Sequence, residues 1–173
     1  MDYMNYFHTN EFTNFYPNFR ENLPWILDYT NKSVQYNLNK GINIAKDSVD
    51  DEIEDEIFYE SLIKVSPNEE AKEIIKSIQN DEKIHNRILR NVFTKLTGVV
   101  LPENTPVIDT KQMSYIDGIK SALMGEVKAV ERYRELLTYM PYKELQSMIF
   151  YILTDEIKHA NKYNYLIATY SKN

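Results

Sequence analysis

Two short motifs in this chain pair a carboxylate with an imidazole at a spacing that suits metal binding. They are Glu82-x-x-His85 and Glu156-x-x-His159. On a helix, a separation of three residues places both side chains on one face, so both can bind a single ion. The chain has no cysteine, which excludes thiolate zinc sites, iron–sulfur clusters and cysteine nucleophiles. The motifs therefore predict a metal site made of carboxylates and imidazoles.

Both motifs belong to an internal repeat. Residues 42–96 align without a gap on residues 116–170, with twelve identities in 55 positions. Ordinary residue frequencies would give about three or four identities. The repeat also matches Glu52 with Glu126, each thirty residues upstream of a motif glutamate. The predicted metal ligands are Glu52, Glu82, His85, Glu126, Glu156 and His159.

The alternative interpretation is that these acids lie on solvated helix faces, and one motif alone would fit it. Two motifs in register, each in the middle of an apolar stripe, are hard to explain by solvation. Four carboxylates buried together would face desolvation and mutual repulsion, whereas two divalent ions would balance their charge. We therefore predict a dinuclear site. Oxygen and imidazole ligands favour iron first and manganese second, and zinc can also occupy such a site.

Five further residues near the predicted ligands are candidates for supporting roles. Asp81 and Asp155 directly precede the motif glutamates and are predicted to accept the free ring N–H of a histidine across the bundle. Tyr59 and Tyr133 lie two helical turns beyond the upstream glutamates, so they are candidates for hydrogen bonds to ligand carboxylates and for electron or proton transfer. Glu56 has no acidic counterpart in the second half and is either an extra ligand or a surface acid. The alternatives are a solvated acid for each aspartate and a core tyrosine with another partner.

The elements that position these residues are predicted to be helices. The chain has only four glycines, and apolar residues recur at steps of three and four through both halves. Each half is predicted to form two helices joined by a short turn, and Ser-Pro-Asn-Glu at 66–69 predicts the start of the second helix. The linker 97–111 could span ~50 Å when extended, and a helix of about 28 residues is ~42 Å long. The sequence thus predicts an all-α four-helix bundle with a long crossover between helices 2 and 3.

The chain divides into two predicted regions. Residues 42–173 are predicted to form the bundle, and residues 1–41 an N-terminal arm that is rich in aromatic residues and could include a short helix after Pro24. The simplest interpretation is that these aromatics pack on the outside of the bundle or on a second subunit, as in a homodimer. A cofactor or partner site in the arm has no supporting spacing.

Composition excludes several classes of partner. The chain has 173 residues, enough for one domain with a full core, and a net charge of -6. That charge argues against binding to nucleic acid or to anionic lipids. No stretch reaches the ~18 apolar residues that span a membrane, and no signal peptide is apparent. We expect a cytoplasmic protein.

The motifs resemble those of the ferritin-like superfamily of dinuclear carboxylate proteins. The near-symmetric Asp-Glu-x-x-His and Glu-x6-Tyr elements are most similar to the rubrerythrin branch, over about residues 42–170. The long crossover is also the connection that ferritin-like folds use. The residues that carry the resemblance are Glu52, Glu82-x-x-His85, Glu126 and Glu156-x-x-His159.

The resemblance implies a non-haem di-iron centre that reduces hydrogen peroxide or oxygen, an activity linked to oxidative stress. Glu82 and Glu156 would bridge the two irons, Glu52 and Glu126 would be terminal ligands, and each iron would have one histidine. Rubrerythrins usually carry a cysteine-ligated rubredoxin segment, which this chain lacks, so electrons would come from a separate donor protein. The additional glutamate of that family would fall at Ala129.

Three other functions fit the same ligands. The chain could bind or oxidise iron without turnover by a reductant, as storage proteins do. It could be a manganese catalase. It could also be a structural protein, such as a coat component, in which the metal only stabilises the four helices.

Overall fold

The computed structural model describes residues 38–103 and 113–171, and these residues form four helices and no strand. The prediction of an all-helical chain is confirmed for this part of the sequence. The predicted arm lies outside the described residues up to residue 37, as does the crossover from residue 104 onward. The helices are α1 (Leu38–Val65), α2 (Glu69–Thr97), α3 (Tyr115–Thr138) and α4 (Lys143–Tyr170).

The ends of α2 show how local chemistry sets the helix bounds. Asn68 caps the helix, and its side-chain oxygen accepts a hydrogen bond of 3.0 Å from the backbone N–H of Ala71. The predicted cap, Ser66, instead donates its hydroxyl proton to the Leu62 carbonyl at 2.8 Å, so α2 begins later than expected. At the other end, Gly98 adopts a left-handed conformation with φ 73°, which glycine allows without strain.

Two apolar clusters fill the core of the bundle. One lies near the turn between α1 and α2, and the other lies near the turn between α3 and α4. The first consists of Tyr59, Leu62, Ala71, Ile75, Ile78, Ile119, Ala122, Tyr163 and Leu166. The second consists of Ala45, Val49, Leu89, Val92, Tyr133, Leu136, Met140, Leu145, Ile149 and Ile152. All four helices contribute to both clusters.

Contacts at the two ends of the bundle establish the direction of each helix. At one end, Leu62 of α1 lies against Gly118 near the start of α3, and the Asn68 side chain bonds the Tyr170 hydroxyl at the end of α4 at 2.9 Å. At the other end, Lys95 of α2 pairs with Glu144 of α4 at 3.1 Å. Helices α2 and α3 therefore run parallel. The predicted long crossover between them lies largely outside the described residues and stays a prediction.

Two glycines give a matched test of how closely the helices approach. A Cβ atom on Gly41 would lie 2.7 Å from Tyr139 Cβ and 3.3 Å from Met140 Cε, whereas one on Gly125 would meet nothing within 4 Å. Gly41→Ala is expected to lower the free energy of unfolding by about 1–3 kcal/mol because the core is overpacked. Gly125→Ala is expected to raise it by about 0.4–1 kcal/mol because the unfolded chain loses entropy. Denaturant unfolding measures both, and a stabilising Gly41→Ala would contradict the close approach.

Candidate metal centre

All six predicted ligands lie buried in the middle of the bundle, between the two apolar clusters. Both histidines are 0% exposed, and no ligand glutamate is more than 5% exposed. Each helix contributes at least one of the six, because the ligands sit at the midpoints of the four buried stripes. The structure therefore brings together residues that are as much as 107 positions apart, from 52 to 159.

The six residues form two overlapping groups, each able to hold a metal ion. In each group, one ligand atom from every residue lies within 4.8 Å of the others. Glu82 and Glu156 belong to both groups, so the two groups share these carboxylates. The groups are Glu52, Glu82, His85 and Glu156, and Glu82, Glu126, Glu156 and His159.

Each histidine turns its Nδ1 atom toward the carboxylates. His85 Nδ1 lies 2.8 Å from Glu82 Oε2 and 3.1 Å from Glu156 Oε1. His159 Nδ1 lies 3.1 Å from Glu82 Oε1 and 3.4 Å from Glu126 Oε2. The two rings are stacked, with centroids 5.7 Å apart and an interplanar angle of 30°. Nδ1 is therefore the atom that each imidazole would offer to a metal.

The opposite nitrogen of each histidine faces an aspartate on the neighbouring helix. His85 Nε2 lies 3.3 Å from Asp155 Oδ2, and His159 Nε2 lies 3.0 Å from Asp81 Oδ2. The structure thus places both aspartates where the sequence predicts them. An N–H at Nε2 that donates to a carboxylate leaves Nδ1 free for a metal and fixes the orientation of the ring.

The two candidate tyrosines hold the glutamates of the opposite half. Tyr59 donates its hydroxyl proton to Glu126 Oε1 at 2.6 Å, and Tyr133 donates to Glu52 Oε1. Each tyrosine lies two turns after the glutamate of its own helix in the sequence. Because α1 and α3 pack antiparallel, each tyrosine instead bonds the glutamate of the opposite helix. The predicted hydrogen bonds to ligand carboxylates are present, whereas a role in electron or proton transfer stays a prediction.

The structure does not bring Glu56 to the cluster. Its half-exposed carboxylate pairs with Lys83 at 3.5 Å, on the side of α1 that faces α2. The neighbouring Asp55 does interact with the ligands: burial, together with the charges of Glu82 and Glu156, raises the pKa of its carboxyl to about 7. Sequence reasoning missed Asp55, although its position one turn after Glu52 is a detectable signal.

Tyr163 is a second residue near the cluster that sequence reasoning did not single out. It lies one turn beyond His159 and is completely buried, with its ring 5.7 Å from that of Tyr59. Its hydroxyl makes no hydrogen bond of normal geometry with the described residues, although it interacts with Tyr59. The repeat has Leu89 at the corresponding position, so this break in the repeat could have identified it.

In the metal-free cluster, bound protons and charged histidines offset the negative charge of the glutamates. Burial raises the pKa values of Glu52 and Glu126 well above the usual range of a glutamate. Burial acts on Glu82 in the same direction, yet hydrogen bonds from His159 and His85 lower its pKa to about 2. Burial opposes the charged form of His159, but its carboxylate neighbours raise its pKa to about 12. Metal ions would replace these protons.

Comparison with known proteins finds no family model, curated protein or solved structure that matches this chain. Among the helices that the structure describes, none combines the length and the apolar character needed to cross a membrane. We therefore infer the function from the geometry and the chemistry of the buried cluster.

The metal-free protein is expected to lose stability as the pH rises. Above about pH 6.5, folded His85 and His159 keep protons that the unfolded chain releases, and Glu52 and Glu126 do the same above about pH 4.5. Each extra proton held by the folded state costs about 1.4 kcal/mol of stability per pH unit. Glu82 has the opposite shift, so stability also falls below about pH 4.5.

Thermal unfolding in a chelator, from about pH 5 to pH 9, measures this effect. The same series with a saturating divalent ion is the control, because bound metal displaces the protons and should remove or reverse the slope. Equal slopes with and without metal would contradict the exchange of protons for metal.

Two tyrosine variants compare a bonded hydroxyl with an unbonded one in metal-free protein. Tyr163→Phe is expected to raise the free energy of unfolding by about 1 kcal/mol, because it removes a buried hydroxyl that makes no hydrogen bond of normal geometry. Tyr59→Phe is expected to lower it by about 1–3 kcal/mol, because Glu126 loses its donor. Denaturant unfolding distinguishes them, and destabilisation by Tyr163→Phe would show that its hydroxyl is bonded in the folded protein.

Proposed function

We propose that this chain is a non-haem dinuclear-metal oxidoreductase of the ferritin-like, rubrerythrin type. Its substrate would be hydrogen peroxide or oxygen, and its electrons would come from a separate donor protein. One observation carries the proposal: two four-residue ligand groups share Glu82 and Glu156 in the buried centre of the bundle. Shared carboxylates flanked by one further glutamate and one histidine on each side are the arrangement that a pair of ions requires.

The donor set fits two divalent ions. Glu82 Oε1, Glu156 Oε1 and His159 Nδ1 are buried and lack a partner of normal hydrogen-bond geometry, although all three lie within the ligand groups. Buried polar atoms usually have a partner, so atoms of this kind support a bound cation. Four carboxylates also balance the charge of two divalent ions, which removes the repulsion among them.

Each ion would have its own ligands as well as the shared ones. Glu52 and His85 would complete one position, and Glu126 and His159 would complete the other. Oxygen and nitrogen donors without sulfur favour iron, with manganese as the second choice. Two ferrous ions would supply the two electrons that reduction of peroxide requires.

The chain's own residues would orient the ligands and limit access of water. Tyr59 and Tyr133 each keep a proton on the hydroxyl and donate it to a glutamate, which holds that carboxylate in one orientation. Asp81 and Asp155 would accept hydrogen bonds from the Nε2–H groups of His159 and His85. The two apolar clusters cover both sides of the ligands and keep bulk water away. The site is therefore preorganised before an oxidant arrives.

The topology supports the ferritin-like part of the proposal. Helices α2 and α3 run parallel, which is the direction that a long crossover produces in that fold. The ligands come from all four helices, with a Glu-x-x-His motif on α2 and on α4. The absence of cysteine from the chain supports the separate donor, because no iron–sulfur or rubredoxin centre can be formed internally.

The decisive experiment combines metal analysis with a peroxide assay. Protein made with iron and manganese both supplied is expected to bind two iron ions per chain, one for each ligand group. Reduced anaerobically, it should consume one equivalent of peroxide for each pair of irons. If the iron-loaded, reduced protein does not consume peroxide, the proposed reaction is wrong. Oxygen release from peroxide with manganese alone would indicate a catalase instead.

Two glutamates on α1 provide a matched pair for metal binding. Glu52→Gln removes a predicted ligand, and Glu56→Gln changes a surface acid one turn away. Loss of an outer partner alone costs about 10–100-fold in metal affinity, so loss of a ligand should cost at least as much at one position. Glu56→Gln should bind both ions as the unmodified chain does. Titration with a divalent metal measures both, and equal affinities would contradict the assigned ligand set.

A further inference from the structure

One lysine joins the two aspartates that hold the histidines. Lys158 Nζ lies 2.6 Å from Asp155 Oδ1 and 3.1 Å from Asp81 Oδ2. Asp155 uses its other oxygen for His85, and Asp81 Oδ2 also contacts His159. A single ammonium group is thus the centre of a continuous network that ends at both histidines.

The lysine breaks the internal repeat. Asp81 and Asp155 are repeat-related, as are the two histidines, but the residue that corresponds to Lys158 in the first half is Ile84. The repeat therefore does not supply a second lysine for the other histidine. The same Lys158 side chain serves both halves because α2 and α4 bring the two aspartates to one place.

We infer that Lys158 is a positioning residue that fixes both histidines of the cluster at once. Two carboxylates so close together repel each other, and the ammonium group between them removes that repulsion. It also anchors Asp155 Oδ1, which keeps Oδ2 directed at His85 Nε2. Without this anchor the carboxylates rotate, and the imidazole rings lose the hydrogen bonds that aim Nδ1 at the metal positions.

Lys158 affects the orientation of the two histidines more than the folding of the bundle. The Lys158 side chain is 46% exposed, whereas those of Asp155 and Asp81 are 12% and 21% exposed. Ion pairs with an exposed member contribute little to stability. Loss of Lys158 should therefore leave the bundle folded while the two histidines lose their fixed hydrogen bonds. This inference rests on the dinuclear ligand set of the proposed function, but not on the reaction proposed for it.

The test follows the imidazole N–H protons by NMR in protein with 15N-labelled histidine, both metal-free and loaded with zinc. The unmodified protein should show two slowly exchanging Nε2–H signals. Lys158→Met should lose both, with zinc affinity reduced about tenfold or more at both positions. Lys158→Arg, which keeps the charge, should retain both signals. Asp155→Asn should affect the His85 signal alone, and Asp81→Asn the His159 signal alone.

Lys162→Met is the matched control. Lys162 lies one turn further along α4 and donates to Ser77 Oγ at 2.8 Å, so it also joins α4 to α2. Its variant should keep both signals and the zinc affinity. Circular dichroism verifies folding, and Lys158→Gln carries the same expectation if Lys158→Met does not fold.

The inference is overturned if Lys158→Met keeps both signals and binds zinc as the unmodified protein does, or if Lys162→Met has an equal effect. Failure of the peroxide assay together with loss of both signals in Lys158→Met would reject the proposed reaction and retain the role of Lys158. If the protein binds no zinc, the proposed ligand set is wrong, and the signals of the metal-free protein still decide whether Lys158 fixes the histidines.

Discussion

Burial of four carboxylates in one cluster is the constraint on which the rest of the structure depends. Glu52, Glu82, Glu126 and Glu156 are each at most 5% exposed, and together they would repel one another strongly without compensating positive charge. The two histidines supply part of that charge when they are protonated. Burial raises the pKa values of Glu52 and Glu126, so these two carboxyls keep their protons and carry no negative charge. Divalent ions satisfy the same requirement without protons. The alternative interpretation, that these four glutamates lie on solvated helix faces, is incompatible with their burial.

The contacts around the cluster cross from one half of the repeat to the other. Tyr59 of the first half holds Glu126 of the second, and Tyr133 holds Glu52. The aspartates exchange partners in the same way, because each faces the histidine of the opposite half. A single hairpin therefore contains the residues of half a site but not the hydrogen bonds that orient them. These hydrogen bonds can therefore form only when the two hairpins are docked.

Sequence periodicity predicted the helices, and the repeat predicted the six clustered residues, because both depend on spacing along one helix. Side-chain contacts between helices could not be predicted from this spacing. The spacing of Tyr59 from Glu52 says nothing about which helix packs opposite, so the exchange of tyrosine partners was missed. Asp55 and Glu56 both lie about one turn after Glu52, so spacing alone does not show which of them faces the ligands. Only the packing of α1 against α2 shows that Glu56 faces Lys83 at the surface. The role of Lys158 could not be predicted from the sequence, because it depends on Asp81 and Asp155 lying together around one ammonium group.

Departures from the repeat make the two sides of the cluster unequal. Asp55 and Tyr163 correspond to Ala129 and Leu89, so the side near Tyr59 has an extra carboxylate and an extra hydroxyl. Duplication of a half-site explains why there are two ligand groups, but by itself it would make them identical. Under the proposed function, the protons that reduction of peroxide consumes have additional polar groups to carry them on the Tyr59 side. The symmetric residues thus account for the two ligand groups, and the asymmetric ones make the Tyr59 side of the cluster more polar than the Tyr133 side.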